Sequence, residues 1–494
     1  MPLPAVTISK NTFSTSLAPG VNVPVGVLAI IAASSTGSTS TVGGYARSDL
    51  AVTAFGYGPL TDLCAYDIST ANQPTVLVKA TATYPGAFVA GTLTTSTMTG
   101  TSVLTTSGNP YDHYNVKITF PQGGTVGTAG ITWQASMDGG NTITTTTALG
   151  TGSSFTIPNT GMTFSLAAGT IGTGDVATVL TERPLPADTD VVNALNLLGL
   201  SRIPWEGVLI DSSATASTVG LLDGVLAGWE SRGIFRFFIM NSRFKLEPEP
   251  TAETEAAYAT ALQTTFGNQT SIRGCVGADG AHTPSLITGW NLKRPTSMFL
   301  AARAMLIPIG EDPAYVARGA LAGAQIADGN GNPFDHDEDL YPNLDSLRLT
   351  TLRSFAPGGP QGVYLTNANT IQPSGGQFPY LQMVRIANVA CTVAWSALTS
   401  QLSRGVRKNP KADPTTGAVY IFEPDASSIE SYVNSALIQP LKGQVSSFGF
   451  SLSRTDNLNA TPVIVTGLLD VVSLAYIKGY QIQFQFSKTL QTAI

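Results

Sequence analysis

Charged residues are scarce in this chain of 494 residues. Asp, Glu, Lys and Arg make up 12% of the sequence, about half of the ~25% that is usual in soluble domains. The net charge of −6 gives no electrostatic reason to expect a nucleic-acid partner, because that binding depends on clustered Lys and Arg. A surface with few charges costs less to bury. The composition suits a protein that packs against other protein surfaces, although a β-rich soluble protein with neutral surfaces would share it.

Cysteine, histidine and the common catalytic motifs are also scarce. Cys64, Cys275 and Cys391 lie too far apart for a disulfide framework or a zinc site, so we expect buried, reduced thiols. The three histidines begin no His-Glu-x-x-His motif. The sequence contains no Gly-Lys dipeptide, which excludes a phosphate-binding loop, and no Gly-x-Ser-x-Gly elbow. We therefore predict no enzyme activity, no cofactor and no metal site.

Long apolar runs are absent as well. The longest cover residues 23–33 and 462–477, and both are shorter than the ~20 residues of a membrane-spanning helix. The first residues lack the basic and apolar regions of a signal peptide. We expect neither membrane insertion nor secretion through a leader.

Both terminal segments have the pattern of isolated strands. In residues 1–22, Pro2 and Pro4 oppose regular structure, and Val6 and Ile8 then alternate with polar residues. An arm of ~20 residues could reach about 66 Å, although an ordinary first strand with a frayed end fits equally well. In residues 480–494, four large apolar residues alternate with glutamine: Tyr480, Ile482, Phe484 and Phe486. This alternation predicts a strand.

Residues 84–183 are rich in Thr, Ser and Gly and show period-2 alternation between glycine-rich turns. The alternating apolar sets are Tyr114, Val116, Ile118 and Phe120; Ile131, Trp133, Ala135 and Met137; and Phe155, Ile157, Met162, Phe164 and Leu166. This pattern predicts an antiparallel β-sandwich. Residues 136–142 resemble the Asp-box hairpin of sialidases, with Ser136, Asp138, Gly140 and Thr142 in place and Ile143 where that motif has Trp. A single copy predicts a turn and argues against a propeller enzyme.

After Pro184, helices alternate with strands. Asp188 is expected to cap a helix that Gly199 closes, and Leu221, Leu222, Val225 and Trp229 should form the apolar face of the next helix, which Gly233 ends. A third helix is predicted over residues 252–266, and buried strands are predicted over residues 207–210, 234–240 and 272–276. The alternation predicts a layered α/β body of residues 23–83 and 184–378, into which the sandwich is inserted.

The sequence pattern of residues 379–479 predicts a compact helix-and-sheet domain. Val384, Ala387, Cys391, Ala394 and Leu398 have the spacing of one helix face. Asp425 is expected to cap a second helix, whose apolar face carries Ile429, Tyr432, Val433, Ala436 and Leu437.

An acidic stretch at residues 328–339 partly matches a calcium-binding loop. Asp328, Asn330, Asn332 and Asp339 occupy ligand positions, but Pro333 stands where the loop requires Gly. We predict a solvated acidic loop without a calcium site.

Three segments resemble the tail sheath family of contractile phages, particularly its Mu-like and related myovirus branches: residues 362–370, 381–388 and 422–425. They read Gly-Val-Tyr-Leu-Thr-Asn-Ala-Asn-Thr, Leu-Gln-Met-Val-Arg-Ile-Ala-Asn and Phe-Glu-Pro-Asp. The resemblance implies a multidomain α/β (α+β) sheath fold, with a protruding inserted domain, a C-terminal inner domain and extended arms. Many sheaths have paired Arg where this chain has Val384 and Arg385, so the resemblance assigns Arg385 no role.

The resemblance also implies a function. Sheath subunits form stacked hexameric rings around a tail tube, exchange terminal strands and contract, which drives the tube through the host envelope. For this chain it implies partners among its own copies, the tube, the baseplate and the tail terminator, in a virion tail assembled in the host cytoplasm. The strand-exchange residues would be Val6, Ile8, Tyr480, Ile482, Phe484 and Phe486.

A basic run and two other functions stay open at this point. Arg404, Arg407, Lys408 and Lys411 could be a solvated helix end or a contact with an acidic tube. The Asp-box-like turn and the sandwich favour, as an alternative, a carbohydrate-binding, receptor-binding or other baseplate protein of a phage. A hydrolase on the α/β body is a further alternative, although the sequence offers no nucleophile for it.

Overall fold

The computed structural model describes residues 25–478 except 96, 246–252, 326–335, 356–357, 374, 412–414 and 416. Val6 and Ile8 of the predicted arm lie outside the described residues. So does the predicted strand with Tyr480, Ile482, Phe484 and Phe486, and so do Asp328, Asn330, Asn332 and Pro333 of the acidic stretch.

The helices and strands form four consecutive groups along the chain. The first group is β1 Leu28–Ala32, β2 Val42–Tyr45, α1 Ser48–Phe55, α2 Pro59–Ala71 and β3 Thr75–Lys79. The second is β4 Ala87–Phe88, β5 Leu104–Gly108, β6 Asn115–Gln122, β7 Gly124–Thr125, β8 Thr132–Ser136, β9 Thr147–Ala148, β10 Ser154–Ile157, β11 Met162–Leu166, β12 Thr170–Ile171 and β13 Asp175–Glu182. The third is α3 Asp188–Leu200, β14 Gly207–Ser213, α4 Ala216–Glu230, β15 Phe237–Asn241, α5 Glu255–Phe266, β16 Gly274–Gly277, β17 Gly280–Pro284, β18 Asn291–Pro295, α6 Thr296–Leu306, β19 Leu352–Arg353 and β20 Tyr364–Leu365. The fourth is α7 Leu381–Gln401, α8 Glu423–Leu441, β21 Val445–Leu452 and β22 Gly467–Ser473.

A six-stranded sheet in the order β16-β15-β14-β1-β3-β2 is the centre of the α/β body. All neighbouring strands are parallel except β2, which runs antiparallel to β3 on the edge. Every residue of β1 is buried: Leu28, Ile30 and Ala32 face one hydrophobic cluster, whereas Ala29 and Ile31 face the other. Burial on both faces is typical of parallel strands covered by helices. The α/β, multidomain fold class predicted from sequence is confirmed.

The second group of elements packs around its own core. A sheet in the order β4-β13-β6-β8-β9 faces a second sheet in the order β10-β11-β5. The predicted alternation is confirmed, since Val116, Ile118 and Phe120 are each at most 1% exposed. The Trp133 and Phe155 rings stack with centroids 4.4 Å apart. The strands before and after this group belong to the same central sheet, as an insertion requires, while the proposed boundaries at residues 84 and 183 stay predictions.

The fourth group packs α7 and α8 against the β21–β22 hairpin around a separate hydrophobic cluster. By length and composition α7 could cross a membrane, with a mean hydropathy of 1.2, but 67% of the residues in that apolar window are buried in the protein. In this structure α7 is a core helix. Val384, Cys391 and Ala394 of its predicted face are buried, whereas Ala387 and Leu398 are half-buried.

The N-cap residues of α3 and α8 are not the two aspartates that the sequence predicted. The cap residues are Ala187 and Phe422, and Asp188 and Asp425 lie in the first turns of α3 and α8. In α3 the capping carboxylate is that of Asp190, which accepts the Ala187 N–H at 2.9 Å. A carboxylate three residues inside a helix can reach back to the cap N–H, and sequence alone did not distinguish the two arrangements.

Two details of α3 and α4 also differ from the prediction. Gly199 lies inside the last turn of α3, where a Cβ atom would come within 2.3 Å of the Trp229 indole. The residue is therefore needed for close helix packing and does not end the helix. Leu221 is 47% exposed, and the buried face of α4 carries Val219 and Leu226 beside the predicted Leu222 and Trp229.

The segment at residues 362–370, which resembles sheath proteins, has a structural role. The amide groups of Asn367 and Asn369 both donate to the Asp345 carboxylate at 2.9 Å. These bonds hold the segment that follows β20 against the short 3₁₀ helix that begins at Asp345.

Arg385 of α7 joins the C-terminal group to the body. Its side chain is fully buried and pairs with Glu206, with Nε donating to Oε1 at 2.6 Å. One guanidinium NH₂ group also donates to the carbonyls of Ile307 and Pro308 at 3.3 Å. The second Glu206 oxygen accepts the Gly26 N–H at 2.6 Å. Four separate segments therefore meet at one ion pair.

We expect Arg385→Met to destabilise the protein strongly, because it leaves the Glu206 carboxylate buried without its cation. Removing one partner of a buried pair costs about 3–5 kcal/mol, so the midpoint of urea unfolding should fall. The control is Arg404→Met at an exposed position three residues beyond α7, where a change within about 0.5 kcal/mol is expected. Equal midpoints for the two variants would contradict the role of Arg385.

Candidate functional site

The β21–β22 hairpin has one buried and one exposed face. Phe450, Leu452 and Leu469 point into the core against α7 and α8. The opposite face is exposed and carries Ser447, Gly449, Ser451, Leu468, Asp470 and Val472. Leu468 and Val472 are 42% and 48% exposed. An antiparallel hairpin with large apolar residues on its outer face has the surface expected of an interface.

One edge of the hairpin is closed by α8. The Asn434 side chain makes both possible bonds with the backbone of Phe450, accepting its N–H at 2.9 Å and donating to its carbonyl at 3.1 Å. Glu430 accepts the Leu452 N–H at 2.7 Å. These side chains occupy the backbone groups that an added strand would need along β21.

The other edge of the hairpin, along β22, is open among the described residues. Because both backbone groups of Phe450 point away from β22, its pair with Leu469 is a non-hydrogen-bonded one. The N–H and C=O groups of Leu469 must therefore point to the far side of β22, and those of Val471 must do the same two residues later. The described part of the chain supplies no hydrogen-bond partner to these groups. Such an edge is a template for another strand.

Sequence reasoning missed Asn434 and Glu430. The sequence pattern predicts that a polar residue on an amphipathic helix is exposed to solvent. Asn434 and Glu430 have backbone partners only because α8 lies beside β21. Ile438 on the same helix is 50% exposed. With Ser435, Gly449 and Leu468 it borders a groove of about 720 Å³.

The last described residues leave the hairpin and pack on the loop that follows α6. The Tyr476 hydroxyl donates to the Gly310 carbonyl at 2.8 Å, and Lys478 pairs with Asp312. The Gly310 N–H in turn donates to the Gln444 side chain at 2.9 Å. Burial and the nearby Asp312 charge raise the pKa of Tyr476 to about 12. The last described residues are thus fixed to the body at the loop that follows α6.

The basic run is largely engaged in local contacts. Arg407 pairs with Asp425 at 2.6 Å, although its side chain is 66% exposed, and its hydrogen bonds lower the pKa of Asp425 to about 2. Lys408 donates to Asn459, and Arg404 donates to Gln401. Lys411 is exposed. The four residues lie in the connection between α7 and α8, and the tube contact stays a prediction.

The described part of the acidic stretch is buried, so the prediction of a solvated loop is wrong there. His336, Asp337 and Glu338 are at most 9% exposed. His336 lies between two carboxylates, with Nδ1 2.9 Å from Glu255 and Nε2 2.9 Å from Glu338. Asp339, which occupies a ligand position of the calcium-loop pattern, pairs with Arg353 at 2.6 Å. Ion pairs compensate the charges of His336, Glu338 and Asp339, which the sequence pattern could not show.

We expect the buried His336 to make stability fall at alkaline pH. Burial alone would lower its pKa, but the hydrogen bonds to Glu255 and Glu338 outweigh burial and raise it to about 9. The unfolded value is ~6.5, so the stabilisation is complete below that pH and is lost as the pH rises through 9.

The measurement is the difference in unfolding free energy between the wild type and His336→Gln at pH 6, 7.5 and 9.5. This difference should shrink with pH by at most about 3 kcal/mol. Lys245 and Asp279 also face the cluster, and both are present in the two proteins. A difference that stays constant across this range would contradict the charged state of His336.

The described residues offer little for metal or nucleophile chemistry. Among them, no group of three or more His, Cys, Asp or Glu side chains is placed to hold a metal ion. Cys64, Cys275 and Cys391 are buried and are not joined in disulfides. Burial, followed by the nearby Asp67, raises the pKa of Cys64 to about 12, and burial also raises the pKa of Cys275. Cys64 and Cys275 are therefore held in the unreactive protonated form.

No protein-family model matches the chain, and no curated protein matches it. Solved structures do. A sheath tail protein from Desulfitobacterium hafniense matches with a TM-score of 0.44 and 10% identity, covering 91% of this chain and 97% of its own. A sheath tail protein from Listeria innocua matches with a TM-score of 0.42 and 10% identity, covering 92% and 97%.

The third similar structure is the sheath complex of an extracellular contractile injection system (PVC) in its contracted state. It matches with a TM-score of 0.41 and 15% identity, and the match covers 64% of this chain and 77% of its own. These three structures are thus two sheath tail proteins and a contractile injection system sheath.

Proposed function

We propose that this chain is the subunit of a contractile sheath that assembles by adding a strand from one copy to the hairpin of another. The observation that carries the proposal is the open β22 edge at Leu469 and Val471, beside an exposed apolar face. The sequence segments at residues 362–370, 381–388 and 422–425 indicate the kind of polymer, because they resemble sheath proteins. Strand addition of this type is a common mode of protein recognition.

Residues 480–486 supply a strand of the right kind. Burial of Tyr480, Ile482, Phe484 and Phe486 would contribute about 6–12 kcal/mol. Fixing the backbone of all seven residues 480–486 costs on the order of 7–14 kcal/mol. The side chains alone therefore roughly balance the ordering cost, and the hydrogen bonds of an acceptor edge must make the difference. A strand of this kind gains stability only where such an edge is available.

The finer features of the proposal follow from the sequence resemblance. We propose hexameric rings of this subunit stacked around a tail tube in a bacteriophage virion, assembled in the bacterial cytoplasm and contracting to drive the tube through the host envelope. Val6 and Ile8 would lend a second strand to a neighbour. The baseplate and tail terminator would contact the ends of the sheath.

The exposed basic run is the proposed contact with the tube. Arg404 and Lys411 are exposed, and the exposed Arg407 side chain keeps a partner in Asp425. Exposed basic side chains at the edge of an interface increase the rate of association with an acidic surface more than they increase affinity.

Truncation after Gly479 should give a folded monomer that cannot polymerise. Phe484→Asp should act in the same way, because the carboxylate would be buried without a partner in the acceptor groove. Gln483→Asp is the control, since it places the same charge on the opposite face of the strand. Circular dichroism, size-exclusion chromatography and electron microscopy of long tubes provide the measurement. If the truncated protein loses its monomer fold, the strand closes its own sheet and the exchange proposal fails.

Val471→Pro should block assembly while leaving the hairpin intact. The Val471 N–H points away from β21, so proline removes a donor that the hairpin itself does not use. Val471→Ala is the matched control, because it shortens the side chain and keeps the N–H. Sedimentation should show polymer for the Ala variant and monomer for the Pro variant, both with wild-type circular dichroism. Polymer formation by Val471→Pro would exclude this edge as the acceptor.

A further inference from the structure

The Asp-box-like turn at residues 136–142 has a carboxylate with all its hydrogen-bonding positions filled. Asp138 Oδ1 accepts from the Ser136 hydroxyl at 2.7 Å and from the Thr142 N–H at 2.8 Å. Oδ2 accepts from the Thr142 hydroxyl at 2.8 Å and from the Asn291 N–H at 2.9 Å. An ionised carboxylate has about four lone-pair sites. Asp138, which is 6% exposed, therefore has none left for an added ligand.

The fourth of these bonds leaves the insertion and reaches the β17–β18 hairpin of the body. The residues on both sides of Asn291 also contact the insertion. Leu292 is 4% exposed and belongs to the hydrophobic cluster of the sandwich. The Trp290 ring packs edge-on against Tyr114, with centroids 5.7 Å apart. Three successive residues of the body thus complete the core and the turn of the insertion.

A buried ion cluster lies beneath the same hairpin. Arg294 of β18 donates to Asp62 of α2 at 2.7 Å and to both oxygens of Asp112 in the insertion, at 3.1 and 2.8 Å. Its side chain is 5% exposed. At the second connection between insertion and body, Arg183 pairs with Asp211, and both side chains are at most 5% exposed. Buried charges are tolerated only while every partner is in place.

We infer that the Asp-box-like turn is a docking element, by which the insertion is fixed rigidly to the β17–β18 hairpin of the body. The turn faces inward, and its carboxylate binds a backbone N–H of the same chain in place of an external ligand. Rotation of the insertion about its two connections would break the Asp138 and Asp112 contacts and expose Trp290 and Leu292. The insertion and the hairpin therefore form one cooperative unit that moves with the body.

Native-state hydrogen exchange on the full-length protein tests this inference. Asp138→Ala should speed exchange of the Asn291 amide by about tenfold or more, since that N–H loses its acceptor. Exchange in β1 of the central sheet should not change. The wild type provides a second measurement that needs no variant: Asn291 and the insertion strands should open with the same denaturant dependence, as expected of one cooperative unit.

Asp175→Ala is the matched control. Asp175 also accepts four hydrogen bonds, but all come from residues of the insertion, namely two from Thr99 and one each from Gly100 and Gly172. This variant should accelerate exchange at Asn291 and in the insertion strands by the same factor, because the unit opens as a whole. Asp138→Ala should accelerate Asn291 more than the strands, because that amide also loses its own acceptor.

Three outcomes would overturn the inference. The first is unchanged Asn291 exchange in Asp138→Ala, and the second is acceleration of the insertion strands without acceleration of Asn291 in Asp175→Ala. The third is binding of a sialylated glycan by the wild type that the folded Asp138→Ala variant loses, which would make the turn a ligand site. All readouts concern contacts within one chain, so they are independent of whether the chain forms a sheath.

Discussion

The ion pair between Arg385 and Glu206 determines how the C-terminal group is held against the body. Arg385 has no exposed surface, and its partners come from the residue before β14 and from the loop after α6. Glu206 also receives the Gly26 N–H, close to the first described residue. A buried charge requires all its partners, so these segments must be placed together. The loop after α6 then holds Tyr476 as well, and the hairpin lies between two fixed points.

This arrangement leaves the hairpin with unequal edges. On one side α8 places Asn434 and Glu430 on the backbone of β21, and on the other side β22 is open among the described residues. Exposed edges are usually protected because they promote aggregation. Closing one edge with side chains while leaving the other open is consistent with addition of a strand in one defined place. Apolar residues on the outer face, such as Leu468 and Val472, add area that an incoming neighbour could cover.

The few charged residues of the chain include many that lie inside it. Arg183, Arg273, Arg294 and Arg385 are each buried beside an acidic partner. Three of these pairs lie where separate parts of the chain meet, and the Arg294 cluster joins the insertion to the body. The outer surface is therefore even poorer in charge than the composition indicates. Low surface charge reduces the cost of desolvation when such a surface is covered by protein.

The sequence by itself determined the α/β class, the alternation of helices and strands over residues 188–276 and the alternating core of the sandwich, because these follow from local periodicity. It also identified the Asp138 turn, whose bonds are mostly local. Only the tertiary structure decided which edge of the hairpin is open, what the Asp138 carboxylate binds outside its turn and why Arg385 is buried. The partners in these cases, Asn434, Asn291 and Glu206, are brought close by packing. The same reason explains the buried His336, which the sequence placed in a solvated loop: periodicity reports which face of an element is apolar, whereas the pairing of polar groups depends on which elements meet.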